Sequence, residues 1–246
     1  MNPGPVSVLA AAGITALATG LGALPFLLGR RATRSWLAAA NALASGFMLG
    51  ASAGLLWEGR SYGFGRVVAG ALGGAVFMVA TRQLLGRRRD VHFGAITGAD
   101  ASRMLMIVGV MTVHSFTEGV GVGVSFGEGE ALGLVIALAI AVHNIPEGLA
   151  ISLVLVPRGV SVARAAGWSV FSSLPQPVMA VPAFLFVETF EPLLPIGLGF
   201  AAGAMVCMVA IELLPEAMDE GSARTVAAVT VLSTLAMIAL QTALLS

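Results

Sequence analysis

Val113-His114-Ser115-Phe116-Thr117-Glu118-Gly119 is followed, within the next apolar run, by Val142-His143-Asn144-Ile145-Pro146-Glu147-Gly148. Each stretch sets a His and a Glu four residues apart. The chain has only 3 His, and two of them lie in these stretches. A helix brings positions i and i+4 onto one face, one turn apart. Two such faces turned toward each other offer two imidazoles and two carboxylates around one point. That donor set suits a divalent transition metal. Ionisable groups at membrane depth are costly, so a function is expected of them.

The surroundings of these stretches are those of a membrane protein. Hydrophobic residues make up 57% of the chain and charged residues 11%, with a mean hydropathy of +0.94. A soluble domain carries about 25% charge. Lipid must therefore cover much of this surface. The net charge is zero, all 13 basic residues are Arg, and no basic stripe marks a nucleic-acid partner. The single Cys207 excludes an intramolecular disulfide and any Cys-based zinc site. It reads as a small core residue in an apolar run. The head Met1-Asn2-Pro3-Gly4-Pro5 lacks the basic residue of a secretion signal, so the first run is expected to be a retained helix. The whole of 1–246 reads as one domain.

Eight runs approach the ~20 residues that span a bilayer. They cover about 5–29, 35–57, 64–85, 103–125, 130–156, 161–187, 192–215 and 223–245. The expected fold is an all-α membrane protein: a bundle of eight transmembrane helices with a metal site between helices 4 and 5. Arg30, Arg31 and Arg34 follow the first run. Arg82, Arg87, Arg88, Arg89 and Arg103 flank the third connection, and Arg158 and Arg164 the fifth. The connections holding Glu128 and Glu130, and Glu188 and Glu191, carry no basic residue. The positive-inside rule makes the Arg-bearing connections cytoplasmic and leaves both termini outside. Arg60, Arg66 and Arg224 argue weakly against this. The setting expected is a multi-pass protein of the bacterial inner membrane. Gly46 with Gly50, and Gly199 with Gly203, form small-xxx-small pairs that let helices approach closely, though such pairs are common in membranes.

His114, Glu118, His143 and Glu147 are the primary candidates. The bland alternative is that each Glu pairs with its own His as interhelical glue. The repetition, with no Arg at that depth nearby, favours a site. Imidazole and carboxylate suit Zn, Fe, Mn, Co or Cd, and the lack of thiolate suits an ion that must leave again. Pro146 removes a helical hydrogen bond to Val142 and predicts a kink beside the ligands. Ser115 and Asn144 each follow a His and could border a second position, or bond between helices. Ser172-Ser173-Leu174-Pro175-Gln176-Pro177 must disrupt the sixth helix, and Gln176 brings an amide to mid-membrane. Glu212 reads equally as a relay ligand or a snorkelling carboxylate. His92 reads as a solvated loop residue.

These residues resemble the ZIP (Zrt/Irt-like) metal transporter family, in its prokaryotic GufA-type branch. His143 through Gly148 is similar to the family's fifth-helix signature, and His114 through Gly119 to its fourth. Leu174-Pro175-Gln176-Pro177 looks like its sixth-helix segment. The resemblance implies transport of divalent metal, chiefly zinc, toward the cytoplasm. It implies a primary position at His114, Glu118, His143 and Glu147. A second position would use Ser115, Asn144 and Gln176 with the same glutamates as bridges. The chain departs from the family pattern in having Ser115 for a frequent Asn, Thr117 for Pro and Gln176 for Glu. The missing carboxylate points to one firmly held metal beside a weak position.

Two other classes compete. A membrane metalloenzyme would use a carboxylate and His centre, but di-iron bundles carry Glu-x-x-His motifs and extra glutamates. A purely structural bundle would use the pairs as glue. No prosthetic group is expected; the metal is the cargo. The partners expected are the divalent ion and the lipid bilayer, with a homodimer left open.

Overall fold

The structure is a computed structural model that describes residues 4–28, 33–86, 92–93 and 96–245. Arg30, Arg31, Arg87, Arg88 and Arg89 lie outside the described residues. Helix α1 spans Pro5–Thr19 and tightens into a 3-10 stretch over Gly20–Leu28. Proline suits its first position, where its missing N–H costs nothing. α2 covers Arg34–Gly59, capped by the Thr33 hydroxyl, which accepts from the Trp36 N–H. α3 covers Phe64–Gly86. A short antiparallel hairpin then pairs β1 (His92–Phe93) with β2 (Ile96–Thr97). This hairpin is the one departure from the expected all-α fold among the described residues, and it leaves His92 exposed.

α4 (Gly98–Glu128) and α5 (Glu130–Leu155) are joined by Gly129 alone. Its φ of 149° is one that only glycine adopts without strain. A one-residue turn forces the two helices to run antiparallel side by side. His114 stands fifteen residues before that glycine and His143 fourteen after it. At 1.5 Å per residue both lie roughly 21 Å from the turn, so the two motifs meet at one depth.

The sixth apolar run is two short helices end to end, α6 (Val162–Ser173) and α7 (Pro175–Leu185). The break falls at Leu174, just before the prolines. Neither piece alone is long enough to cross a membrane. Among the described residues 7 helices are, rather than the eight read from hydropathy. After α8 (Val187–Phe190), α9 (Leu194–Met208) widens into a π turn at Val209–Leu213 and continues as α10 (Leu214–Glu220); α11 covers Ala223–Leu245.

The helices pack in two groups. α1, α4, α5, α6 and α7 pack on one another, and α3 with α9 and α2 with α11 form the other group. α2 joins the groups by packing on α5, and α4 by packing on α9. In the most apolar stretch of α4 and of α5, 61% of residues are buried; in those of α3 and α11 only 22% are. The pair that carries the His/Glu motifs is therefore central, and α3 and α11 face outward with Leu72, Val76, Val231 and Leu235 exposed. The small-residue pair Gly199/Gly203 lies directly against α3, where a Cβ on Gly203 would overlap the Ala71 backbone. From the other side, a Cβ on Gly74 would overlap Phe200 and Ala204 backbone atoms.

Ion pairs identify the two ends. Arg34 with Glu220 (2.8 Å), Arg158 with Asp100 (2.6 Å) and Arg103 with Glu216 (2.5 Å) gather the start of α2, the start of α4, the end of α5 and α10. At the other end Tyr62 reaches Glu128 (3.5 Å) and Arg66 reaches the Pro192 carbonyl (3.5 Å).

The backbone contact between α3 and α9 is testable. Gly203→Val forces apart two helices that touch through main chain, at a cost of about 1–3 kcal/mol. It should lower the melting midpoint of the detergent-solubilised protein. Gly109→Ala, where nothing lies within 4 Å of an added Cβ, should leave that midpoint in place. Equal midpoints for the two variants would show that the α3–α9 seam yields.

Candidate metal centre

The hairpin of α4 and α5 brings His114, Glu118, His143 and Glu147 together. One donor atom from each lies within 4.8 Å of all the others. The four are 0–3% exposed. Glu147 Oε1 stands 3.0 Å from His114 Nε2 and 3.1 Å from His143 Nε2. Glu118 Oε1 stands 3.3 Å from His114 Nε2 and 3.9 Å from His143 Nε2. The imidazoles lie 5.9 Å apart, nearly parallel at 29°. A tetrahedral ion with bonds of 2.0–2.2 Å holds its ligand atoms roughly 3.3–3.6 Å apart. The four distances bracket that range.

The polar inventory around the centre is not closed by hydrogen bonds alone. Neither nitrogen of His114, nor Glu118 Oε1, makes a hydrogen bond among the described residues, although His114 Nε2 lies in ion-pair range of both glutamates. An unsatisfied buried polar atom costs about 1–3 kcal/mol. Here His114 Nε2 and Glu118 Oε1 converge on the same small volume. The bond within one motif that glue predicts is made once, between His143 Nε2 and Glu147 Oε1 (3.1 Å). Each glutamate also approaches the histidine of the other helix.

The residues read as a second position are all buried; Gln176 is fully engaged, while Asn144 Oδ1 has no hydrogen-bond partner among the described residues. Gln176 Nε2 donates to Glu118 Oε2. Gln176 Oε1 accepts from the Thr15 hydroxyl (2.6 Å) and from Asn144 Nδ2 (3.0 Å). Asn144 Nδ2 also donates to the Thr15 carbonyl (2.7 Å). Gln176 thus touches the centre through its N–H, which a cation cannot use. Ser115 is fully buried, and its hydroxyl has no partner among the described residues. The break before Pro175 starts α7 at the depth of Glu118. Gly119 makes room for it: a Cβ there would meet the Gln176 main chain, at 2.5 Å from its carbonyl oxygen.

Thr15 of α1 was not among the residues singled out in the sequence. Its signal was faint: Thr15 and Thr19, one turn apart in an otherwise apolar helix. Thr19 bonds Ser173 (2.7 Å), so both threonines tie α1 to the broken α6–α7 pair. Pro146 sits inside α5, which continues as regular helix to Leu155. With Val142 it lines an apolar cavity of about 290 Å³ toward α1 and α2. Glu212 is neither a free relay ligand nor a snorkelling group. The π turn sets its carboxylate between Arg82 (2.9 Å) and Arg103 (3.2 Å).

The sequence profile described as "ZIP Zinc transporter" matches residues 94–242, which hold all four residues of the cluster. The chain is 33% identical over 230 residues to the zinc transporter GufA of Myxococcus xanthus, covering 88% of this chain and 90% of that one. It is 31% identical over 232 residues to the zinc transporter ZupT of Corynebacterium glutamicum, covering 85% and 88%. A protein of Arabidopsis thaliana is 48% identical over 230 residues, 92% of this chain. The chain spans only 37% of that plant protein's length. A buried two-His, two-Glu centre, a profile match over most of the chain and bacterial relatives aligned nearly end to end agree: this chain belongs to the ZIP zinc transporter family.

Proposed function

We propose that this protein carries divalent metal, zinc foremost, across a membrane toward the cytoplasm, with His114, Glu118, His143 and Glu147 as the intramembrane site. The observation that carries the reading is the cluster itself: four donors of metal-binding type, buried, with unpartnered atoms converging. Family membership and the names of the bacterial relatives support zinc as cargo. Those relatives are named as transporters, so the metalloenzyme alternative is set aside. Fe, Mn, Co and Cd share the ligand preference and are further cargo candidates.

In this reading α6 and α7 cross together as one broken span, which makes eight crossings. The Arg-rich end then faces the cytoplasm and both termini lie outside, in a bacterial inner membrane. Metal binding requires neutral imidazole and ionised carboxylate, so uptake competes with protons at the site. A homodimer is compatible with the exposed outer faces of α3 and α11.

The neighbouring position at Ser115, Asn144 and Gln176 is proposed to be weak. A second dication close to the first meets strong repulsion. Two bridging carboxylates cancel at most one ion's charge, and the other three groups are neutral.

Glu147→Ala should abolish zinc uptake into proteoliposomes while the protein still elutes as a single species in detergent. His143→Ala should reduce uptake at least tenfold. Normal uptake by Glu147→Ala would remove the cluster from the transport path. Stoichiometry tests the second position. Anomalous scattering at saturating cadmium should give one strong site in the unmutated protein and a second, stronger peak in Gln176→Glu. Two full sites without the substitution would overturn the single-metal reading.

A further inference from the structure

Two cavities meet at Glu58. The outer one, about 490 Å³, lies between the ends of α2 and α11 and is lined by Trp57, Glu58, Gln241 and Thr242. The inner one is only about 50 Å³ and runs from Glu58 and Gln241 to Glu118 and His143. Gly54, Glu58 and Gln241 line both. Gly54 is what leaves the neck its width: a Cβ there would come within 2.5 Å of Gln241 Oε1. The rest of the inner wall is apolar, including Leu55, Ile140 and Leu198.

We infer that the Glu58 carboxylate and the Gln241 amide oxygen form an outer waystation that takes a divalent cation from water and passes it to Glu118 and His143. The inference rests on the transport reading above. Both groups are free to bind. No hydrogen bond or ion pair to another described residue engages the Glu58 carboxylate or the Gln241 side chain. The inner cavity sets the need for them. At about 10–15 Å³ per held water it has room for roughly three to five waters. An octahedral aqua ion carries about six. The ion must shed water at the neck, and a carboxylate with an amide oxygen replaces what it loses. Past the neck the inner cavity reaches the Glu118 carboxylate and His143.

The field around the neck favours a cation. Burial is the largest influence on the Glu58 carboxyl, and the Glu128 carboxylate acts on it next. Glu191 acts on the nearby Tyr62 in the same way. Opposing charge also stands at this end, on Trp57 of the outer cavity and beside α9. The Arg60 guanidinium lies 3.4 Å over the Trp57 ring, and Arg66 points to the Pro192 carbonyl.

Initial rates of zinc uptake into proteoliposomes, measured against zinc concentration, test this. A cleft of one charge sign raises local counter-ion concentration by about tenfold or more. Glu58→Gln should therefore raise the half-saturating zinc concentration roughly tenfold, and Glu58→Asp should restore most of it. Gln241→Glu should shift it the other way. Cadmium at the inner cluster, read by anomalous scattering at saturation, should remain full in Glu58→Gln. Half-saturation unchanged in both Glu58→Gln and Gln241→Glu would overturn the waystation and leave the inner site standing. Loss of inner cadmium in Glu58→Gln would also overturn it, because the residue would then be supporting the cluster. Absence of uptake by the unmutated protein would instead sink the transport reading, and the waystation with it.

Discussion

Two carboxylates and two imidazoles share one water-poor space, and the packing around them answers to that fact. Two like charges about 4 Å apart repel by about 4 kcal/mol even at an effective dielectric of 20. Among the described residues no Arg pairs with the cluster to offset this. Arg82 and Arg103, on α3 and α4, are held by Glu212 and Glu216. What does reach it is Gln176, whose N–H steadies Glu118 without adding charge. A dication is the counter-charge that fits both the donor types and the spacing. Removing one partner of such a buried set leaves an uncompensated charge, which is far costlier than losing a surface pair.

Holding four donors at one depth demands close helix contact, and glycine supplies it on each side. Gly129 sets the antiparallel hairpin. Gly119 and Gly123 let α7 lie against α4. On the other flank Gly148 of α5 and Gly22 of the first span meet backbone to backbone. Each site glutamate is followed directly by one of these glycines. The repeated Glu-Gly is therefore a pairing of a cluster carboxylate with the gap that lets a supporting helix come near it.

Much of this was legible in the sequence because it is local. A His and a Glu four apart share a helix face whatever the tertiary fold, and an apolar run long enough to span a membrane announces itself. The proline pair after Leu174 announced the break in the sixth run, although not that each half would be too short to cross alone. Residues that act across long separations were harder to read. Thr15 meets Gln176 over 161 positions, and only Thr19 one turn further on hints that this face of α1 is polar. Glu212 looked like a relay ligand or a snorkelling group. The π turn and two distant arginines decide otherwise; Pro215 marks a disturbed helix nearby, but nothing local marks the arginines. His92 sits in a hairpin that composition gave no reason to expect.

The ligand set carries no arrow, since two similar motifs face one another across an antiparallel hairpin. The ends of the bundle do differ. At the Arg-rich end Asp100, Glu212, Glu216 and Glu220 are each held by an arginine. At the other end no ion pair among the described residues engages Glu58, Glu128, Glu130, Glu188 or Glu191. Carboxylates already paired attract little; free ones concentrate cations within a Debye length of about 8 Å at physiological salt. The cavities that approach Glu118 and His143 are lined at this end by Glu58, one of these carboxylates. Charge and void thus favour the same side for arrival, while the ion pairs hold α3, α4 and α10 together on the other. In this structure the asymmetry lies in the ends, and the centre itself can serve an ion from either.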